Sequence, residues 1–169
     1  MTTDAPVIFG YDGSAAAQRA VRDAAPLLGR QPALVVTVWE AGRLFETTTM
    51  PLIGLEMPPT VLDLRTAMDA DAELYEAAKR TAQHGAHLAR EAGFVESSGL
   101  AIADDETVAD TLMRVARERH SPGIVVGAHG HRKLSELLLG STSDTLVHKA
   151  DRPVVVVRAQ SKEDRAVAA

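Results

Sequence analysis

The chain contains no cysteine. That excludes a disulfide scaffold, a cysteine metal site and thiol catalysis, and it fits a reducing compartment. Aromatic residues make up only 4% of the 169 residues, too few for base-stacking platforms. There is no basic excess either. The 18 Lys and Arg face 23 Asp and Glu, for a net charge of −5, which argues against a protein built to grip nucleic acid. No apolar run approaches the ~20 residues of a membrane span. The N-terminus reads MTTDAPVIFGYDGS, without the basic region of a signal peptide. The expectation is a cytoplasmic protein with neither membrane nor nucleic acid among its partners. The length suits one domain and is short for two.

Four short apolar runs are present: Val7-Ile8-Phe9, Leu34 to Val38, Ile124-Val125-Val126 and Val154 to Val157. They are rich in β-branched residues and nearly free of polar ones, as strands read when both faces are covered. Gly99 to Ala103 is a weaker fifth run. Helical patterns separate them. Ser14 caps a segment from Ala15 to Leu28, with Ala17, Val21, Ala24 and Leu28 on one stripe, Pro26 in its last turn and Gly29 as its stop. A long helix is expected from Thr66 to Glu91, with Leu74, Ala78, Ala82, Gly85 and Ala89 in line. Asp105 caps a helix through Val108, Leu112 and Val115 to Arg119, and a last helix covers Ser141 to Lys149. Regular alternation of strand and helix implies a parallel sheet covered on both sides. Ligands of such sheets sit beyond the carboxyl ends of the strands, where the strand order reverses.

Two segments fit no element. Glu40 to Asp63 holds three prolines, two glycines and a threonine triplet, and it reads as a lid or mobile loop. Residues 159–169 are small and charged and read as a fraying tail.

The fourth run leads into Gly127-Ala128-His129-Gly130, and nine residues later come Gly140-Ser141. The pattern is G-x2-G-x9-G-S. Gly127 lets the backbone approach a ligand, and Gly130 permits a positive φ that turns successive N–H groups toward one anion. Gly140 and Ser141 open the last helix, whose free N–H groups and dipole favour a phosphate. By composition, three glycines and a Ser or Thr at this spacing arise in about one chain in a hundred. The structural alternative is that the glycines are turn and cap residues.

With its VIFGYDGS opening, the G-x2-G-x9-G-S segment and the closing DRPVVVV strand, the chain resembles the universal stress proteins of the ATP-binding branch along nearly its whole length. The resemblance implies roles for matching positions. Asp12, with Gly10 beside it, lies near the ribose or a phosphate-bound Mg²⁺, and Val38 contacts adenine. Val126, Gly127, His129, Gly130, Gly140 and Ser141 hold ribose and phosphates, with Thr142 and Ser143 as further donors. His131 and Arg132, next to Lys133, form a basic cluster that either neutralises phosphate or is solvated loop. The structural alternative for Asp12 is an N-terminal cap or turn residue before Ser14. The resemblance also implies a homodimer paired through the last strand, and a stress-signalling role in which ATP occupancy alters the surface shown to an unknown partner.

The expectation is therefore one doubly wound α/β domain over residues 1–158, with five parallel strands in the order 3-2-1-4-5, helices on both faces and a tail at 159–169. It binds ATP with Mg²⁺ and turns it over little or not at all. A slow ATP hydrolase and a nucleotide-free interaction protein are the alternatives. No G-x4-G-K-[ST] loop occurs, and no G-x-G-x-x-G follows the first strand. Ser141 has no base nominated beside it. His84 and His87 share a helix face without a third metal ligand and read as solvated surface. His148 reads as a helix-dipole partner.

Overall fold

The computed structural model describes residues 5–40, 61–104, 106–128 and 139–158. Nine elements alternate: β1 Val7–Gly10, α1 Ala15–Leu28, β2 Ala33–Glu40, α2 Val61–Ala92, β3 Ser97–Asp104, α3 Val108–Glu118, β4 Ile124–Gly127, α4 Ser141–Lys149 and β5 Val154–Val157. The strands form one sheet in the order β3-β2-β1-β4-β5, and every pairing is parallel. The expected fold class and strand order are those observed.

The unbroken apolar strands serve two cores. Val7, Phe9, Val35 and Val125 face α1 and α2, where they meet Ala17, Ala20, Val21, Ala24, Ala86 and Ala89. Ile8, Leu34, Val36, Ile124 and Val126 face the other way, onto Leu112, Val115, Ala116 and Leu146 of α3 and α4. Alternate residues of one strand thus enter opposite layers, which is why no position in these runs tolerates a charge.

The helix ends follow local chemistry. The Ser14 hydroxyl accepts the Ala17 N–H at 3.1 Å and starts α1. Pro26 stays inside α1, which ends when the Gly29 N–H bonds the Ala25 carbonyl at 2.7 Å. α2 is longer than its pattern suggested and begins at Val61. It stops where Gly93 takes φ +109° and Phe94 N–H reaches back to Ala89. α3 is capped by Thr107, which accepts the Asp110 N–H at 3.2 Å. Asp105, the expected cap, lies outside the described residues, two positions before the cap that geometry selects. β3 extends the expected run at both ends, because all eight of its residues pair with β2. Among the described residues, no helix is long and apolar enough to cross a membrane.

One asymmetry shapes the carboxyl edge of the sheet. The ladder between β1 and β2 ends at Gly10 opposite Val36, whereas β2 and β3 stay paired up to Glu40 and Asp104. At ~3.3 Å per residue, Thr37 to Glu40 rise about 13 Å past the last β1 pair. The sheet therefore has a step. Short strands β1 and β4 form its floor, and β2 and β3 form its wall.

Candidate functional site

The floor is built around the ends of β1 and β4, which are neighbours. After β1 the chain turns at Asp12, whose Oδ1 accepts the Ser14 N–H at 2.9 Å. Gly13 makes this turn possible by adopting φ +80°. Asp12 is exposed at the mouth of the crevice and is the turn residue that precedes the α1 cap.

On the other side of the floor, β4 ends at Gly127 against the first turn of α1. A Cβ there would lie 2.9 Å from the Ala16 carbonyl carbon. The next residue, Ala128, is a junction. Its N–H donates to Val157 of β5, while its carbonyl accepts the Gly140 N–H at 2.7 Å and the Ser143 hydroxyl at 3.0 Å. The start of α4 is therefore fastened directly to the end of β4. Ser143 is 2% exposed, and its hydroxyl also lies 2.9 Å from the Gly140 carbonyl. It ties the helix to the strand from inside, while Ser141 is exposed and Thr142 half-buried.

The two helices that begin at this crevice differ. α1 is capped by its own Ser14. The N-cap of α4 is Gly140, at φ −66° and ψ 158°, a residue with no side chain to serve as its cap. The N–H groups of a first helical turn have no partner within the helix. Those of Ser141, Thr142 and Ser143 belong to that turn, at the positive end of the helix dipole. Gly140 occupies a conformation open to any residue, so the value of glycine there lies in the missing side chain.

The wall contributes Val38 and Trp39. Val38 packs into the α3 and α4 core layer, and Trp39 lies on the opposite face, 6.0 Å from the Tyr75 ring of α2. The Tyr11 N–H bonds the Val36 carbonyl at 2.9 Å, so the main-chain groups of Val36 point toward β1. In a strand that direction repeats every second residue. The N–H and C=O of Val38 consequently point over the floor, above the end of β1.

The structure thus brings Gly10, Asp12, Val38, Val126, Gly127, Gly140, Ser141, Thr142 and Ser143 to one edge of the sheet. Gly10 lies beneath the site: a Cβ there would meet Leu112 Cδ1 at 2.8 Å and Val126 Cγ1 at 2.9 Å. Its small size serves packing. His129, Gly130, His131 and Arg132 lie outside the described residues, as do the bulk of the Glu40–Asp63 segment and the 159–169 tail.

Sequence reasoning missed Tyr11, Thr37 and His84. Tyr11 is 3% exposed. Burial, reinforced by the Asp12 charge and opposed by Arg22, raises its hydroxyl above the ordinary 10.0. Its hydroxyl lies 2.8 Å from His84 Nδ1, and its carbonyl accepts the Thr37 hydroxyl at 2.8 Å. Thr37 was detectable as the lone polar residue inside an apolar run. The role of His84 depends on a contact 73 positions away in the chain, and no local pattern carries it. His87 is exposed and pairs with Glu91 at 3.3 Å. His148 sits 2.9 Å from the Asp144 carbonyl near the end of α4. Among the described residues, no group of three metal-ligating side chains occurs.

The universal stress protein family matches residues 5–158. A curated relative, universal stress protein MJ0577 of Methanocaldococcus jannaschii, is 33% identical over 49 residues, which are 29% of this chain and 30% of that protein. The aligned stretch is thus under a third of the relative's length. The structure of MJ0577 is similar across 94% of this chain and 99% of its own, with TM-score 0.69 and 18% identity. The universal stress protein from Archaeoglobus fulgidus in complex with dAMP is similar over 94% of this chain and all of its own (100%), with TM-score 0.60 and 21% identity. A family member from Arabidopsis thaliana with AMP bound covers 94% of each chain, with TM-score 0.56 and 15% identity.

Proposed function

The chain belongs to the universal stress protein family, and from that premise we propose that it binds an adenine nucleotide, ATP with Mg²⁺, in the crevice between the ends of β1 and β4. The observation that carries this reading is the contrast between two adjacent helix starts. The N-cap of α1, Ser14, caps its first turn with its hydroxyl, while the N-cap of α4, Gly140 beside Ala128, has no side chain to do the same. A phosphate supplies the missing partner. The dAMP and AMP held by two structurally similar proteins support the adenine class.

In this reading the base stands against the wall, where the Val38 main-chain groups meet its polar edge. Ribose and phosphates cross the floor over Val126 and Gly127 to Gly140, Ser141 and Thr142. His129, Gly130, His131 and Arg132 enter this reading as further phosphate contacts through the family resemblance alone. Ser143 acts through its buried anchorage to Ala128. Asp12 faces the ribose or the phosphate-bound metal, and Mg²⁺ contributes charge neutralisation there. Among the described residues no base is hydrogen-bonded to Ser141, and the role proposed is binding with little turnover. Nucleotide occupancy then alters the surface offered to a signalling partner in the cytoplasm. The half-buried valines of β5, an edge strand, pair with a second copy in a homodimer.

Mass spectrometry of the nucleotide that co-purifies with the protein, followed by calorimetric titration with Mg-ATP, tests the reading. An adenine nucleotide bound stoichiometrically is expected. Absence of binding would refute it, and turnover in the ordinary enzyme range of ~1–10³ s⁻¹ would replace binding with catalysis.

A further inference from the structure

We infer that Tyr11 is the positioning residue of this crevice, and that Thr37 and His84 act on the site through it; the inference rests on the nucleotide reading above. Tyr11 lies between the last residue of β1 and the Asp12 turn. Loop residues at sheet edges are commonly solvated, yet Tyr11 is 3% exposed and held from two directions. β2 holds its main chain: the N–H donates to the Val36 carbonyl at 2.9 Å, and the carbonyl accepts the Thr37 hydroxyl at 2.8 Å. α2 holds its side chain. The hydroxyl meets His84 Nδ1 at 2.8 Å, and the ring lies on Gly85, where an added Cβ would come within 2.9 Å of Tyr11 Cδ1.

The group that Thr37 grips is the carbonyl of the Tyr11–Asp12 peptide. Rotating that peptide swings Asp12, so the Thr37 hydroxyl fixes the orientation of the residue that faces the ligand. Thr37 is 7% exposed and lies on the β2 face that carries Val35. A valine would fill the same space and suit a strand at least as well. The hydroxyl is therefore surplus to sheet formation, and among the described residues it bonds the Tyr11 carbonyl. Thr37 also immediately precedes Val38. The Thr37 hydroxyl thus carries the link between wall and floor one residue past the last main-chain bond from Tyr11 to Val36, between the two surfaces a nucleotide spans. His84, by engaging the hydroxyl, keeps the tyrosine ring seated and transmits the position of α2 to the turn. When such a support is lost, apparent affinity falls by the fraction of molecules that keep the competent turn.

The test is calorimetric titration of Mg-ATP into wild type, Thr37→Val, Thr37→Ser, Tyr11→Phe, His84→Ala and the Tyr11→Phe/His84→Ala double variant, each with its melting temperature. Thr37→Val is expected to weaken binding about three- to tenfold, the effect of one net hydrogen bond, and Thr37→Ser to restore it. Tyr11→Phe and His84→Ala should each weaken binding, and the double variant no more than either alone. Ser121→Ala serves as the stability control. The Ser121 hydroxyl bonds the Gly123 carbonyl at 2.8 Å, at the opposite edge of the sheet. It should lower the melting temperature and leave affinity unchanged.

Wild-type affinity in Thr37→Val and His84→Ala overturns the inference while the nucleotide reading stands. A loss of affinity in Ser121→Ala equal to that in Thr37→Val overturns it as well, because general destabilisation then explains both. If Thr37→Val does not fold, the exposed His84 carries the same test. No ATP binding by wild type overturns this inference and the nucleotide reading together.

Discussion

Replacing Gly127 by alanine puts a methyl carbon 2.9 Å from the Ala16 carbonyl carbon, 3.0 Å from its oxygen and 3.1 Å from its Cβ. Ordinary contact begins at 3.4 Å. Two of the three atoms are backbone of the first turn of α1, so no rotamer change relieves the overlap. The helix start or the strand end must move. Overpacking of this kind costs about 1–3 kcal/mol. The lower chain entropy of unfolded alanine returns about 0.4–1 kcal/mol, which leaves a net loss of about 1.3 kcal/mol at the middle of both ranges. In a domain of this size that lowers Tm by roughly 3–5 °C. Urea unfolding followed by circular dichroism should show a lower midpoint at unchanged slope. Two other glycines calibrate the argument. At Gly10 the obstacles are side-chain tips, Leu112 Cδ1 and Val126 Cγ1, which can rotate, so Gly10→Ala should cost less despite similar distances. At Gly99 the obstacles are the Ala82 carbonyl carbon and oxygen, both 2.6 Å away in α2, so Gly99→Ala should cost most. An unchanged midpoint for Gly127→Ala, or a larger loss for Gly10→Ala, would mean that α1 is not seated on the end of β4.

Ser143→Ala removes a buried donor, but the Ala128 carbonyl keeps the Gly140 N–H, so no acceptor is orphaned. A loss of about 1 kcal/mol is expected by chemical denaturation. Asp12→Asn keeps an oxygen to accept the Ser14 N–H, so stability should change by less than about 0.5 kcal/mol. Its affinity for ATP should fall when Mg²⁺ is present and hold when it is removed, as calorimetry can read. The raised hydroxyl of Tyr11 predicts an alkaline effect. A group whose folded pKa lies above its unfolded value contributes stability that is complete below the unfolded value and lost as pH rises through the folded one. Stability should therefore fall above pH 10, where the unfolded hydroxyl titrates, and Tyr11→Phe should remove part of that fall in unfolding midpoints measured on either side of this pH.

Much of the architecture was legible because the strands are apolar on both faces. Ile124 to Val126 and Val154 to Val157 leave a parallel sheet as the natural reading, and Ser14 and Gly29 mark the ends of α1 by local chemistry alone. Errors fell where tertiary contact overrides local signal. Val61 to Ala92 outruns its apolar stripe, and β3 takes its length from β2. The candidate site was legible in its main-chain parts, since a glycine at a strand end or helix start points to close approach. At Gly10 and Gly127 the approach proves to be by the protein's own atoms. Ser143 is a candidate donor by backbone or hydroxyl; its hydroxyl goes to Ala128 and Gly140, which leaves the backbone N–H for that role. The Tyr11 clamp was not legible, because Thr37 and His84 come together only in the folded chain.

The 32-residue helix α2 spans about 48 Å, nearly twice the ~26 Å of the eight-residue strands it covers. Among its residues whose burial is described, the first buried one is Ala78, while Met68, Leu74 and Tyr75 are 66%, 42% and 41% exposed. One continuous helix therefore has two protection regimes. Amides beyond Ala78 are locked into the cooperative unit of the sheet and exchange their hydrogens only when the domain opens as a whole. Amides between Met68 and Tyr75, tied to the sheet by fewer contacts such as that of Tyr75 with Trp39, exchange through local opening. A protease in the native state should cut first in this projecting half, and the remaining domain should still unfold as one.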